Sequence, residues 1–181
     1  MRAKLVFILA GASVLGATVL GGCNLFPDPT VFPYSKDQVQ KMLGDSETTL
    51  PRRDGTGEMI KIWGDGRSAK GVHLKMKYAS WAPLLACEAV VTSITPKETR
   101  VVADCGQNTN SDSAMSRTQD SLRAPMFEEH IAATLNKRAF NRGNVDAKET
   151  MAVFQNLGGM QREALQMSAD EARRSAAERR R

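Results

Sequence analysis

The sequence predicts an α+β domain: an antiparallel sheet of about four strands in two hairpins, with packing helices and long C-terminal helices. Three observations predict it. Apolar and polar residues alternate strictly from 72 to 78, which is typical of a strand with one buried face. A Pro96-Lys97 turn signal separates two β-rich runs. A helical pattern with matching start and stop signals follows from residue 125.

The first predicted element is a short helix that begins after Ser35. Ser35 is a favourable N-cap, and Gln38 three residues later completes a capping box. Gly44 marks the end of the helix. The apolar residues between these positions form a stripe that can pack on the domain: Val39, Met42 and Leu43. The polar segment 45–56 predicts a loop.

The first predicted hairpin joins residues 58–63 to residues 72–79 through the glycine-containing segment 64–71. One face of its second strand is apolar, with Val72, Leu74, Met76 and Tyr78. The other face carries His73, Lys75 and Lys77. Together with Lys61 and Arg100, these residues are a candidate basic strip for lipid phosphates or glycan. The solvated face of an antiparallel sheet explains the same pattern, and we favour it. Within the connection, Gly64-Asp65-Gly66-Arg67 reads as a hairpin turn rather than an anion-binding loop.

The second predicted hairpin joins residues 84–95 to residues 98–105. With a three-residue loop at Thr95 to Lys97, Cys87 lies opposite Cys105. The same register places a row of small and apolar residues on the cysteine side of the hairpin. It also places Glu88 opposite Asp104 on the other side.

The C-terminal part of the chain predicts helices after a mobile, polar loop at 106–121. One helix spans 125–142, with Pro125 at its first position and Phe127, Ile131 and Leu135 facing the sheet. A second helix is expected to begin at Asp146 and to be interrupted at Gly158-Gly159. The remainder, 160–181, is expected to be peripheral or frayed.

The N-terminus combines a cationic start, Met1 to Lys4, with an uncharged run from Leu5 to Leu20. The following Leu20-Gly21-Gly22-Cys23 resembles the lipobox of bacterial lipoproteins. The resemblance covers about the first 23 residues. It implies a diacylglyceryl group on Cys23, cleavage between Gly22 and Cys23, and an outer-membrane address on the periplasmic side if the source is Gram-negative, because Asn24 is not an aspartate. An uncleaved membrane anchor and an ordinary secreted protein are the alternatives.

This localisation bears on the remaining cysteines. If Cys23 is lipidated, Cys87 and Cys105 are a pair in an oxidising compartment, and we expect a disulfide between them rather than two free thiols. A metal site is not predicted, because His73 and His130 are the only histidines and no short-spaced ligand cluster exists.

These features divide the chain into four parts. Residues 1–22 are the signal peptide, 23–33 the lipidated cysteine and an extended tether, 34–143 the α+β domain, and 144–181 a helical, Arg-rich extension. Loss of Arg2 and Lys4 lowers the 25 basic residues to 23, against 20 acidic residues. The resulting net charge of about +3 is too small to indicate a nucleic-acid partner.

No catalytic or cofactor motif is recognisable. The chain has neither a nucleophile elbow nor a His-Glu-x-x-His zinc pair. Glu128, Glu129 and His130 are adjacent, but consecutive helix residues point in different directions, so we interpret the acids as favourable charges in a first helical turn. The sequence therefore predicts a protein that is not an enzyme and needs no cofactor.

Two function classes are the main hypotheses. The leading hypothesis is a non-enzymatic interaction or structural lipoprotein that contacts an envelope protein, anionic lipid or glycan through its sheet face or basic tail. The tail contains six arginines: Arg162, Arg173, Arg174, Arg179, Arg180 and Arg181. The alternative is a binding module for a lipid or other apolar molecule in a sheet–helix groove. Its expected lining is Met76, Tyr78, Phe127, Ile131 and Leu135.

Overall fold

A computed structural model of the protein describes residues 28–106 and 113–179. The candidate lipidation and cleavage site at Gly22 and Cys23 lies outside the described residues, as do Arg180, Arg181 and part of the expected loop at 106–121.

The described chain is an α+β structure around one antiparallel sheet of six strands, not four. The strand order is β1-β6-β5-β4-β3-β2. The two predicted hairpins form the four central strands. In chain order the strands are β1 Val31–Phe32, β2 Glu47–Pro51, β3 Met59–Arg67, β4 Gly71–Lys77, β5 Leu84–Thr95 and β6 Glu98–Asp104.

The two additional strands are the edges of the sheet, and both lie where the sequence predicts irregular chain. β1 falls within the expected tether at 23–33, and β2 within the expected loop at 45–56. β1 has only two residues, and β2 alternates exposed residues with half-buried Thr48 and Leu50. A strand of two residues is too short to show an alternation, and the largely polar β2 shows little alternation of apolar residues, which is why the pattern misses both.

The second hairpin has the predicted register from Glu88 to Ser93, but not the predicted three-residue loop. Thr95 belongs to β5 and pairs with Glu98, the turn has two residues, and a register shift between Ser93 and Thr95 restores the expected pairing. Ala89 pairs with Ala103 and Val91 with Val101. Cys87 and Cys105 form a disulfide, with their Cα atoms 4.0 Å apart. The bond joins the start of β5 to the residue that follows β6, on the face that packs against the helices.

Four helices complete the described fold: α1 Lys36–Gly44, α2 Ala114–Ser121, α3 Ala124–Leu135 and α4 Arg142–Glu178. α1 has the predicted capping box, since Ser35 accepts from the N–H of Gln38 and the Gln38 side chain accepts from the N–H of Ser35. α2 corrects the loop prediction for its residues. It begins at the N-cap Ser113 and packs on α4.

The two long helices differ from the prediction at their ends. α3 stops at Leu135 rather than at 142, because Lys137 adopts a left-handed conformation with φ of 52° and the chain turns there. α4 begins after the N-cap Asn141, so the predicted boundary at 143/144 falls inside this helix. α4 also continues through Gly158-Gly159. A Cβ atom on Gly159 would lie 2.8 Å from the Cβ of Ala114, so the glycine permits the close approach of α2.

The core lies between the inner face of the sheet and the helices α1 and α3. Its largest fully buried members come from both layers: Leu43, Ile60, Ile62, Leu74, Phe127 and Leu135. α4 contributes Val145 and Ala152 and then extends away, leaving Leu165 and Met167 each 72% exposed. The tail predicted to be peripheral is therefore an exposed continuation of one helix.

Candidate functional site

The residues predicted to line a ligand groove do not surround a common open space. Met76, Phe127, Ile131 and Leu135 are core residues, each at most 3% exposed. Tyr78 lies beyond the end of β4, is 41% exposed, and has its ring 5.2 Å from the guanidinium carbon of Arg52. The apolar faces of strand and helix pack directly on each other, so the side chains that were expected to line a groove occupy that space themselves.

A different cleft lies between the β1–β6 edge of the sheet, α3 and the first turns of α4. We call it the edge cleft. Its volume is about 450 Å³, and of the predicted groove residues only Ile131 borders it. The apolar part of its lining consists of Pro29, Phe32, Val101, Val102, Ala103, Ile131, Ala132 and Ala147.

The edge cleft is open because β1 covers only the first half of β6. Val31 and Phe32 pair with Arg100 and Thr99. The N–H of Val101 then donates to the carbonyl of Thr30 at 2.8 Å. Before Thr30 the chain turns away from β6, so nothing in the described residues pairs with the remainder of that strand on this side.

The direction of the backbone groups follows from the antiparallel ladder. Alternate residues of a strand point their N–H and C=O groups to the same neighbour. Because the N–H of Val101 points towards β1, the N–H and C=O of Ala103 point the same way, into the edge cleft. These groups form a short open edge beside the apolar part of the lining.

A polar network fixes one side of the cleft. Glu129 on α3 is 5% exposed and binds both Arg138 and the start of α4. Its carboxylate accepts from Nη2 of Arg138 at 3.1 Å, from the N–H of Asn141 at 2.7 Å and from Nδ2 of Asn144 at 3.1 Å. Burial acts to raise the pKa of Glu129, but the hydrogen bonds from Arg138, Asn141 and Asn144 outweigh it and leave the pKa below its usual value. This network joins α3 to α4 and so holds the cleft in shape.

The rim of the cleft carries an ion pair between the two helices. Glu128 on α3 accepts from Nζ of Lys148 on α4 at 2.5 Å. Both side chains are largely exposed, so this pair contributes little to stability. It nevertheless places one charge of each sign beside the opening.

His130 points away from this cleft, so the three adjacent residues Glu128, Glu129 and His130 have separate surroundings, as predicted. The interpretation of the two acids as first-turn charges is wrong, because α3 begins at Ala124 and its first turn contains no acidic residue. The ring is fully buried, with Nε2 2.9 Å from the hydroxyl of Ser46 and Nδ1 2.9 Å from that of Thr48. The Ser46 hydroxyl donates to the carbonyl of Leu43 at 2.6 Å, so it accepts from Nε2–H, and Thr48 donates to Nδ1. Burial lowers the pKa of His130 to about 4. This neutral histidine ties α3 to the segment that leads into β2, without a carboxylate at either nitrogen.

The candidate basic strip lies on the outer face of the sheet, as predicted. Several of its members have acidic partners: Lys75 with Asp65 at 2.5 Å, Lys61 with Glu47 at 2.9 Å, and Arg100 with Asp28 at 3.4 Å. Such mixed, paired charges are typical of a solvated sheet face.

The segment Gly64 to Arg67 belongs to strand β3, with a register shift between Gly64 and Arg67, so the prediction that it forms the hairpin turn is wrong; the turn lies at 68–70. A Cβ atom on Gly64 would lie 2.2 Å from the carbonyl oxygen of Leu43. Gly64 therefore serves the close contact between β3 and α1.

The described arginines of the C-terminal tail are exposed along the outer part of α4. Arg173 has an acidic neighbour, with Nη1 3.8 Å from Oδ1 of Asp170. Met151 and Phe154 add exposed apolar surface on the same helix, 63% and 70% exposed.

Comparison with protein-family models, with curated proteins and with solved structures finds no match to this chain. Within 28–106 and 113–179, no group of three or more histidine, cysteine or acidic side chains is placed to hold a metal ion. None of the helices in those ranges has the length and apolar character needed to cross a bilayer. The edge cleft and the N-terminal sequence are therefore the features that bear on the function of the protein.

Proposed function

We propose that the protein is a lipid-anchored envelope protein with a non-enzymatic interaction role, held on the periplasmic side of the outer membrane if the source is Gram-negative. The lipobox-like sequence ending at Cys23 supports the anchor. The observation that carries the interaction role is the edge cleft, which combines apolar lining residues with a stretch of sheet edge that no residue of 28–106 or 113–179 pairs with.

The ionisable groups around the cleft favour binding over catalysis. Glu129 is engaged by Arg138, Asn141 and Asn144, and Glu128 by Lys148. A carboxylate whose pKa is lowered by donors on several sides is a poor proton donor near neutral pH. In this arrangement the charged groups stabilise the walls of the cleft.

The position of the cleft relative to the anchor supports a role close to the membrane. Pro29 and Thr30 line the cleft, and Asp28 is five positions after Cys23. Five residues span at most about 18 Å when fully extended. A partner bound in the cleft is therefore held near the lipid surface.

A second candidate function is the binding of a lipid or other apolar small molecule in the same cleft. The volume of about 450 Å³ supports it, because pockets for small ligands typically measure about 300–1,000 Å³. This candidate predicts a bound compound of discrete mass instead of a protein partner.

Native mass spectrometry of the protein extracted from its own membranes, without reductant, tests both candidates. We expect an acylated Cys23 and a complex with a second protein. Ala132→Trp fills the cleft and should abolish the complex, whereas Ala164→Trp, on the exposed part of α4, should leave it intact. A small mass that is lost only in Ala132→Trp would favour the second candidate. Loss of neither species in Ala132→Trp would contradict a role for the cleft.

A further inference from the structure

We propose that the edge cleft binds an extended peptide segment of a partner protein, which adds to the sheet as a strand beside β6 at Ala103. This inference rests on the proposed interaction role and specifies the chemistry of the partner. The added segment would continue the strand position that β1 leaves at Thr30.

The unpaired backbone groups of β6 define what can bind there. Ala103 presents one N–H donor and one C=O acceptor to the cleft, two residues beyond the last bond from β1 to Val101. Another polypeptide backbone in an extended conformation supplies the matching acceptor and donor at the strand spacing of about 4.8 Å. A purely apolar ligand would leave both groups unpaired, at a cost in free energy.

The opposite wall of the cleft suits the side chains of such a peptide. Ile131 and Ala132 on α3 and Ala147 on α4 face the β6 edge across the opening. The two alanines leave room, and the isoleucine offers apolar surface. An added strand places alternate side chains on opposite faces, so every second residue would contact this wall.

The other edge of the sheet carries features that discourage strand addition. β2 ends with Pro51, which lacks an N–H, and begins with Glu47, a charged residue. The uncovered end of β6, from Val102 to Asp104, has no proline, and its charged residue, Asp104, is the last of the strand. The two edges therefore differ in their suitability for pairing, and the cleft lies at the suitable one.

A proline substitution tests the proposal with little effect on the sheet itself. Because the N–H of Ala103 points away from β5, Ala103→Pro removes the edge donor and leaves the β5–β6 ladder intact. Thr49→Pro is the matched control at the opposite edge. The N–H groups of Gly64 and Arg52 bond across the β2–β3 pair to Ser46 and Glu58, so the N–H of Thr49 also points outward.

The probe is a pool of capped seven-residue peptides that alternate valine or isoleucine with threonine, serine or lysine. Its binding to the full chain is measured by fluorescence anisotropy. We expect members of the pool to bind the wild type and Thr49→Pro equally, and Ala103→Pro at least tenfold more weakly. N-methylation of the bound peptide at alternate residues should weaken binding to the wild type to a similar extent. This second comparison uses no protein variant and so does not depend on the folding of Ala103→Pro.

Three outcomes would overturn the proposal: no binding by any member of the pool, equal binding to Ala103→Pro, or equal binding of N-methylated peptides. The proposed function is judged separately, by whether the membrane-extracted protein carries a partner that Ala132→Trp removes. A partner that persists in Ala103→Pro but is lost in Ala132→Trp would contradict strand addition while the interaction role stands.

Discussion

Acidification should destabilise the protein through His130 well before most carboxylates are protonated. The ring is fully buried, and burial lowers its pKa from 6.5 to about 4. In the unfolded chain the same side chain binds a proton near pH 6.5. The unfolded state therefore binds more protons between these two values, so the free energy of unfolding falls as the pH is lowered through this window.

The size of the effect follows from the two pKa values. Between pH 7.5 and pH 5, protonation of the unfolded state lowers the free energy of unfolding by about 2 kcal/mol. The full difference of 2.5 pKa units corresponds to about 3 kcal/mol, reached below pH 4. Glu149 acts in the opposite sense, because burial and then the nearby Asp146 raise its pKa, so the folded state gains stability as that carboxylate is protonated.

Urea denaturation at pH 7.5, 6.5, 5.5 and 5.0 measures this dependence. All the proteins compared carry Glu149→Gln, which removes the opposing contribution of that carboxylate. We expect His130→Gln to flatten the profile. An NMR titration of the folded wild type gives the pKa of His130 without a variant. A ring that titrates near pH 6.5, or a slope that persists in His130→Gln, would refute the reasoning.

Three further predictions concern the disulfide, the cleft wall and the anchor. Replacing Cys87 and Cys105 together by alanine should lower the free energy of unfolding by about 3 kcal/mol, measured by urea denaturation without reductant; an unchanged midpoint would contradict a stabilising role. Glu129→Gln should cost about 1 to 3 kcal/mol in the same assay, and the surface control Glu128→Gln less than about 1 kcal/mol. Cys23→Ala should prevent acylation, seen as a missing lipid mass on the N-terminal peptide, and normal outer-membrane fractionation of this variant would argue against the lipobox.

The central sheet was predictable because its information is local and repeated. The strict alternation around Leu74 indicates which residues face inward, and the turn signal at Pro96-Lys97 indicates which strands pair. The register shift between Ser93 and Thr95 has no such signal in the sequence, although the expected opposition of Cys87 and Cys105 is observed. The strand number was not predictable in the same way, because β1 and β2 pair through their backbones and bury few side chains.

The candidate site escaped prediction for a different physical reason. The pattern of Phe127, Ile131 and Leu135 correctly indicates a helix face on the sheet, but a complementary pair of apolar faces packs to a dense core and leaves no cavity. Openings occur where packing ends, at the edges of layers. The Glu129–Arg138 pair that shapes this opening spans the turn between α3 and α4, so no helical spacing of three or four residues reveals it.

Residues 28–30 account for the short extent of β1, and this short extent leaves part of the β6 edge without a partner among the described residues. Pro29 occupies the second position of a turn, which its fixed φ favours, and Asp28 accepts from both the N–H and the hydroxyl of Thr30 at 2.9 Å and 2.6 Å, so this N–H is directed to Asp28 rather than to β6. The N–H of Val31 closes the turn onto the carbonyl of Asp28 at 3.1 Å. These bonds direct the chain away from β6 two residues before Ala103 would be covered. A chain that continued straight would have covered Ala103 with Asp28. The Asp28-Pro29 turn is therefore the local cause of the cleft that supports the proposed interaction role.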